Sequence, residues 1–203
     1  MLLNQSEFDL KSIKSWLAGL ILKVLGWKVK TAFPLDTPKA IYVVAPHTSM
    51  WDFPYGILVR NFIKVPIGYV IKAELMKGPL GWLLNWMGAY PVDRSKSNNF
   101  VEGVANVIKE TDNIHICITP EGKRGPVKKL KRGFWYMATQ ANVPLVFVTF
   151  DFGNKVLDFS DLYWCSEIEK DMEYVWNHFK GVKGHTPANG IIGEYQGSKS
   201  PQK

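Results

Sequence analysis

Short apolar runs alternate with longer amphipathic stretches through most of the chain. The clearest run, residues 40–45, is rich in β-branched and aromatic side chains and is typical of a buried strand. This alternation predicts an α/β fold, with a mixed, mostly parallel sheet flanked by helices on both faces. The predicted strands lie at about 39–45, 67–72, 88–92, 114–119 and 144–150.

The N-terminal apolar stretch runs from Trp16 to Trp27 and is interrupted by Lys23. A membrane-spanning helix needs about 20 apolar residues, and this stretch does not reach that length. Tryptophan at both ends and several nearby lysines favour a helix that lies in the interface of an anionic membrane. We therefore predict that residues 1–30 form an interfacial amphipathic helix, outside a core that folds without it.

Three other regions complete the organisation of the chain. The apolar, aromatic segment 79–87 suits an acyl-chain channel, further membrane contact or a core helix. Residues 166–180 are predicted to form a helix packed on the sheet. From about 181 to 203, glycine, proline, serine and lysine are frequent, which predicts a flexible tail. No repeat or linker is apparent, so residues 1–203 are predicted to form a single domain.

The composition restricts the partners of the protein. The formal net charge is +7, and six of the cations lie within residues 123–132. A basic surface indicates an anionic partner. No nucleic-acid-binding motif accompanies the run, so a phosphate-bearing substrate and anionic lipid headgroups are the better explanation, and no nucleic acid is expected. The two cysteines have neither disulfide nor metal-site spacing and fit a reducing compartment.

His47 and Asp52 are the most informative pair of residues. They follow the predicted strand 39–45 directly, and open α/β sheets place their sites at such strand ends. A carboxylate on one ring nitrogen fixes the tautomer of histidine and stabilises the imidazolium that forms when the other nitrogen takes a proton. The pair therefore predicts a general base. The other histidines, His115, His178 and His185, are predicted to be structural or superficial, and no cluster predicts a bound metal.

Three further segments follow at the ends of predicted strands. Residues 88–94 form a short extended piece that ends in Asp-Arg, and residues 119–125 read Thr-Pro-Glu-Gly-Lys-Arg-Gly. Residues 143–148 form an apolar strand opened by a proline. Each segment alone is a weak signal, but four segments in this order form a specific one.

Together these segments resemble the four motif blocks of the glycerolipid acyltransferases, the family of 1-acylglycerol-3-phosphate acyltransferases and their relatives. The resemblance covers about residues 38–150. The chain departs from the family pattern at Thr119, where phenylalanine is usual, at Lys123, where a small hydroxyl residue is common, and at Phe147, which replaces a proline.

The resemblance implies a seven-stranded sheet flanked by helices and an acyl transfer to a lysophospholipid hydroxyl. The expected acceptor is 1-acylglycerol-3-phosphate, which would give phosphatidic acid. The donor is an acyl thioester, either acyl-CoA or acyl carrier protein, and no further cofactor is expected. In this interpretation His47 is the general base and Asp52 orients its ring. Backbone N–H groups near Gly122 or after His47 are expected to stabilise the oxyanion.

The predicted substrate-binding residues are all expected to lie near the acceptor and its phosphate. Arginine suits this role because its planar guanidinium pairs with phosphate through two hydrogen bonds. The resemblance implies the following set: Lys72, Arg94, Glu121, Gly122, Lys123 and Arg124.

Other functions stay open from the sequence. The acceptor could be another lysolipid or an amino-acid lipid, or the protein could be a lipid-binding relative without activity. A serine hydrolase using Ser49 is a poorer interpretation, because no Gly-x-Ser-x-Gly motif is present. The expected location is the cytoplasmic face of a membrane, with peripheral attachment.

Overall fold

A computed structural model describes residues 5–31, 33, 37–92, 100–195 and 197, except for the side chains of residues 5–11 and Lys72. Among these residues, seven strands form one sheet. The strands are β1 (Lys28–Val29), β2 (Lys39–Ala45), β3 (Ile67–Lys72), β4 (Ala89–Val92), β5 (Ile114–Ile118), β6 (Leu145–Asp151) and β7 (Val156–Phe159). Their spatial order is β1-β7-β6-β2-β5-β3-β4. All neighbouring strands are parallel except β6 and β7.

The described α-helices connect and cover these strands. They are α1 (Gln5–Val24), α2 (Asp52–Ile63), α3 (Gly78–Trp86), α4 (Phe100–Glu110), α5 (Gly133–Ala141) and α6 (Ile168–Phe179). Short 3₁₀ helices occur at Ala73–Met76 and Pro187–Asn189.

Different helices bury the two faces of the sheet. On β2, Ile41 and Val43 belong to a core with residues of α4, α5 and α6. Tyr42, between them, belongs to a second core with residues of α1 and α2. All three side chains are fully buried. A parallel strand covered on both faces requires a nearly continuous apolar run, which is the pattern that predicts this strand from the sequence.

The predicted α/β fold with a mostly parallel sheet is confirmed. The observed bounds of β2 and β3 match the predicted ones, those of β4 and β5 differ by one residue at one end, and those of β6 differ by one residue at both ends. β1 and β7 are not among the predicted strands. They contain two and four residues, which is too little sequence for a recognisable period.

The N-terminal helix α1 packs against α2 along one face. Ala18 and Leu22 are buried there, and the Ser15 hydroxyl donates a hydrogen bond of 2.8 Å to the carbonyl of Phe62. Trp27, which follows the helix, is buried beside Tyr55. These contacts make the N-terminal region part of the hydrophobic core. Removal of this segment would expose the side chains that pack against Leu22 and Trp27, which argues against the expectation that the rest of the chain folds without residues 1–30. That expectation stays a prediction.

Two helices expose large apolar side chains. On α3, Trp82 and Trp86 are 73% and 71% exposed, which excludes the core-helix interpretation of segment 79–87. α1 exposes a stripe on the face opposite α2, and its members are Ile13, Trp16, Leu17, Leu20 and Val24. None of the helices that the structure describes combines the length and the apolar character needed to cross a bilayer.

Candidate active site

The candidate site lies where β2 and β5 end. The two strands are parallel neighbours, so the loops that leave their carboxyl ends emerge at the same edge of the sheet. The loop after β2 carries His47, and the loop after β5 carries Glu121 and Arg124. The fold thus brings together side chains that are more than 70 residues apart in the sequence.

His47 and Asp52 are in direct contact. The Nδ1 atom of His47 lies 3.0 Å from Oδ2 of Asp52, the first residue of α2. The same oxygen accepts hydrogen bonds from the backbone N–H groups of Thr48, at 2.8 Å, and Ser49, at 3.0 Å. A carboxylate can only accept in this position, so the proton of the neutral ring sits on Nδ1. The lone pair of Nε2 is consequently available to accept a proton.

Arg124 lies against the free nitrogen of this ring. Its Nε–H donates a hydrogen bond of 3.2 Å to Nε2 of His47, which requires the same tautomer. The Arg124 side chain is otherwise exposed. A substrate hydroxyl that approaches Nε2 has to displace this contact, and the guanidinium then needs a new acceptor. An anionic group on the substrate would provide it.

The Glu121 carboxylate binds the backbone of His47. Its side chain is 2% exposed, and both of its carboxylate oxygens accept the backbone N–H of His47, at 2.9 and 2.8 Å. Burial raises the pKa of Glu121 to about 7, although the hydrogen bond from the His47 N–H opposes that change. The sequence does not reveal this contact, because nothing local links Glu121 to a backbone group 74 residues earlier.

Gly122 and Lys131 define the turn beside Glu121. Gly122 has φ of +67°, a conformation that side chains rarely adopt. A Cβ atom on Gly122 would also come within 2.5 Å of the Lys131 ammonium nitrogen. Lys131 in turn donates its backbone N–H to the carbonyl of Pro120, at 2.7 Å. Lys131 therefore adds a cation to this loop that the sequence analysis does not single out from the basic run.

The expected oxyanion donors are occupied by other acceptors. The N–H groups of Thr48 and Ser49 both donate to Asp52, and the N–H of Gly122 donates to the carbonyl of Thr119, at 3.3 Å. These three groups stabilise the loops themselves. In this geometry the three N–H groups are not available to an oxyanion, and a backbone donor elsewhere near Gly122 or after His47 stays a prediction.

The structure describes only some of the other predicted binding residues. Lys123 lies in the same loop as Arg124 and has an exposed side chain. Lys72 ends β3, but its side chain lies outside the described residues, and so does the whole of Arg94. Their binding roles stay predictions. In the described part of the chain, no three His, Cys, Asp or Glu side chains are grouped to hold a metal ion.

The chain also matches a protein-family model. The model, described as Acyltransferase, matches residues 28–151, which is more than half of the chain. This chain belongs to the acyltransferase family. The matched region contains both loops of the site, and it ends with the last residue of β6.

Named relatives agree with the family. The chain is similar to 1-acyl-sn-glycerol-3-phosphate acyltransferase beta of Homo sapiens, with 25% identity over 148 residues, or 64% of this chain and 52% of the relative. It is also similar to the 1-acyl-sn-glycerol-3-phosphate acyltransferase of Streptococcus pneumoniae (strain ATCC BAA-255 / R6), with 28% identity over 148 residues, or 67% of this chain and 53% of the relative. The chain thus spans about half the length of these two relatives.

A solved structure matches the fold of this acyltransferase. It is the crystal structure of the 1-acyl-sn-glycerophosphate (LPA) acyltransferase PlsC from Thermotoga maritima. The TM-score is 0.54 at 15% sequence identity, and the match covers 89% of this chain and 85% of the other. The likeness supports the α/β fold described above.

The raised pKa of Glu121 predicts a pH dependence of the free energy of unfolding. Because the folded state favours the uncharged acid, this contribution to stability is complete below the ordinary pKa of 4.5 and is lost as the pH rises through about 7. Glutamine cannot ionise, and its carbonyl can still accept the His47 N–H. We expect Glu121→Gln to gain about 2 kcal/mol relative to the wild type between pH 5 and pH 8, measured by urea unfolding. Parallel pH profiles for the two proteins would contradict this prediction.

Proposed function

We propose that this protein is an O-acyltransferase that moves a fatty acyl group from a thioester donor to a hydroxyl of a lysophospholipid. The proposed acceptor is 1-acylglycerol-3-phosphate, the substrate class in the names of both relatives. The observation that carries the proposal is the contact of Arg124 with Nε2 of His47. A base and a cation side by side suit an acceptor that offers both a hydroxyl to deprotonate and a phosphate to bind.

The reaction begins with the acceptor. Its hydroxyl replaces Arg124 at Nε2 of His47, and the guanidinium turns to the acceptor phosphate. His47 takes the hydroxyl proton as the oxygen attacks the thioester carbonyl, and the carboxylate of Asp52 stabilises the imidazolium that results. The tetrahedral intermediate then collapses with cleavage of the carbon–sulfur bond. His47 returns the proton to the leaving thiolate, so the products are the ester and the free thiol.

This scheme needs no nucleophile from the protein. The acceptor oxygen itself attacks, so neither cysteine is required. Burial also raises the pKa of the Cys117 thiol to about 11, which keeps it protonated near neutral pH. Glu121 and Asp52 act through His47, one by holding its backbone and the other by orienting its ring.

Thiol release from an acyl thioester tests the proposed function. The protein is incubated with acyl-CoA in the presence and absence of 1-acylglycerol-3-phosphate. We expect release only when the acceptor is present, because the base acts on the acceptor hydroxyl. Release without any acceptor would identify a hydrolase, and no release with any lysolipid or either type of donor would identify a binding protein.

Arg124 provides a prediction on acceptor binding. Arg124→Ala should raise the KM for 1-acylglycerol-3-phosphate about 10- to 100-fold, since hydrogen bonds to a charged group contribute about 1.5–3 kcal/mol. Arg124→Lys should recover little, because the planar fork that matches phosphate is lost. Steady-state kinetics with each substrate varied in turn measure both effects. Lys109→Ala, an exposed cation at the end of α4, is the control. A raised KM for the donor alone would refute the assignment.

We also propose peripheral attachment to the cytoplasmic face of an anionic membrane. The support is the exposed apolar stripe of α1 together with Trp82 and Trp86 of α3. Near the site, Met50 and Trp51 are exposed as well. Aromatic side chains and lysines are the residues that favour the membrane interface, and an acyltransferase must reach acceptors that are dissolved in the bilayer.

A pair of matched substitutions tests this attachment. Trp16→Glu changes the exposed stripe of α1, whereas Tyr136→Glu changes an exposed aromatic residue of α5, on the opposite face of the sheet. Neither side chain is buried, so both variants should fold. We expect Trp16→Glu to reduce flotation with anionic vesicles about tenfold or more, as the loss of one buried tryptophan contact implies. Salt should weaken the binding of the wild type. Equal losses in both variants would contradict the proposal.

A further inference from the structure

The C-terminal segment, residues 183–192, lies against the loop that carries His47. This segment falls outside the region that matches the family model, which ends at residue 151. Its composition predicts a flexible tail, yet its residues form specific contacts with Thr48, the neighbour of His47. The glycine that suggests disorder is in fact the residue that permits the contact.

Thr48 is bonded through three of its groups. It is 2% exposed, and its own N–H donates to the carboxylate of Asp52. Its hydroxyl oxygen accepts the backbone N–H of Thr186, at 3.1 Å, and its carbonyl accepts the side-chain amide of Asn189, at 3.0 Å. Two of the three bonds thus come from the C-terminal segment, and the third reaches the residue that orients His47.

Close packing reinforces these bonds. A Cβ atom on Gly184 would lie 2.4 Å from the Thr48 side chain, so no larger residue fits there without displacing Thr48. The His185 ring stacks on the Trp51 ring, with 6.1 Å between the ring centroids. It also makes a T-shaped contact with the Phe152 ring, with 5.3 Å between the centroids. The loop from His47 to Asp52 is therefore held by the segment at both Thr48 and Trp51.

The segment is itself fixed to two other parts of the fold. The carbonyl of Lys183 accepts the N–H of Phe152, at 2.8 Å, just beyond β6. At the other end, Val127 donates to the carbonyl of Gly190, at 3.2 Å, and accepts from the N–H of Ile192, at 3.0 Å. Val127 follows Arg124 in the same loop. The segment therefore connects the His47 loop with the loop that carries the cation of the site.

We infer that the C-terminal segment positions His47 for acyl transfer, and that Asn189 is the positioning residue through which it acts. Asn189 touches neither the histidine nor the space beside Nε2. Its amide fixes the Thr48 carbonyl, and with it the Ser49 N–H of the same peptide plane, which shares the Asp52 oxygen with the His47 ring. Loss of this bond leaves the peptide between Thr48 and Ser49 held only at its N–H, so it can tilt and change the position of the Asp52 oxygen that sets the tautomer. The inference rests on the proposed function.

The test compares two asparagines that make the same kind of bond. Asn189→Ala removes the amide from the Thr48 carbonyl. Asn61→Ala removes an equivalent amide from the carbonyl of Ile57 in α2, at 2.9 Å, away from the His47 loop. Asn189 is partly exposed in a short 3₁₀ helix, so its truncation should leave the fold intact. Gly184→Ala is a second variant, which moves Thr48 by steric contact.

Two readouts are needed for each full-length protein. The first is the tautomer of His47, read from long-range ¹H–¹⁵N correlations of the imidazole rings and assigned with His47→Ala. The second is kcat for acyl transfer, with the KM of each substrate. In Asn189→Ala and Gly184→Ala we expect a mixture of tautomers and a kcat about 10- to 100-fold lower, with KM values near those of the wild type. Asn61→Ala should keep the wild-type values.

An unchanged tautomer in both Asn189→Ala and Gly184→Ala would overturn the inference, whether or not kcat falls. If the wild type transfers no acyl group, the proposed function fails instead. The tautomer comparison still decides whether the segment positions His47, because it does not depend on turnover.

Discussion

Replacing His47 with alanine should reduce acyl transfer at least about 10⁴-fold, the loss that accompanies removal of a general base from a histidine–carboxylate pair. No other described group lies where it could take over, because Nε2 of His47 faces the guanidinium of Arg124, which cannot accept a proton. The fold should persist, since the His47 ring is partly exposed and outside both cores. Turnover is measured as thiol release that depends on the acceptor.

Asp52→Asn separates the two functions of the carboxylate. Only Oδ2 of Asp52 accepts hydrogen bonds, while Oδ1 is buried and has no partner among the described residues. An asparagine can place its carbonyl at the Oδ2 position and keep the tautomer, but it loses the charge that stabilises the imidazolium. We expect a loss of about 10²–10³-fold in kcat, less than that of His47→Ala. Asp112→Asn, an exposed change far from the site in the α4–β5 turn, is the control. Wild-type turnover in His47→Ala would exclude His47 as the base.

Asp171 should have the largest effect on stability. This buried carboxylate of α6 accepts hydrogen bonds from the Trp135 Nε1–H, at 2.7 Å, the Tyr163 hydroxyl, at 2.6 Å, and the Ser166 backbone N–H, at 2.7 Å. Burial alone would raise the pKa of Asp171, but these bonds outweigh it, and the pKa lies below the ordinary 3.8. Asp171→Ala leaves three donors without their acceptor, so we expect a loss of about 3–5 kcal/mol in the free energy of unfolding.

Urea unfolding of Asp171→Ala and of Asp161→Ala, an exposed aspartate nearby, measures this effect. Because the pKa of Asp171 is lowered, its contribution is present above the ordinary pKa and is lost only as the pH falls below it. The difference between wild type and Asp171→Ala should therefore stay constant from pH 5 to pH 8. Over the same pH range, the difference in the free energy of unfolding between wild type and Glu121→Gln should change. A loss below about 1 kcal/mol would show that the donors find other partners.

The sequence predicts the centre of the sheet better than its edge. β2 is recognisable because its residues are buried on both faces, which leaves an apolar run that few other structures require. β1 escapes prediction because its two residues, Lys28 and Val29, are exposed and join the sheet only through β7. Such a strand is defined by its partner, and no local pattern can indicate it.

In the candidate site, too, the local contacts can be predicted from the sequence and the long-range contacts cannot. The spacing of His47 and Asp52 lies within one loop and helix start, so the sequence alone suggests that the side chains meet, and they lie 3.0 Å apart. The contacts of Glu121 with the His47 backbone and of Asn189 with Thr48 join residues 74 and 141 positions apart. These pairings follow from the order of strands in the sheet and from the path of the C-terminal segment. Neither is encoded in a local motif.

Analysis of the lipid product tests the central claim most directly. Wild type and His47→Ala are incubated with 1-acylglycerol-3-phosphate and an acyl-CoA whose chain carries an isotopic label, and the lipids are identified by mass spectrometry. The account predicts phosphatidic acid that contains one labelled chain, formed by the wild type and absent with His47→Ala. Labelled free fatty acid without phosphatidic acid, or equal product from both proteins, would contradict it.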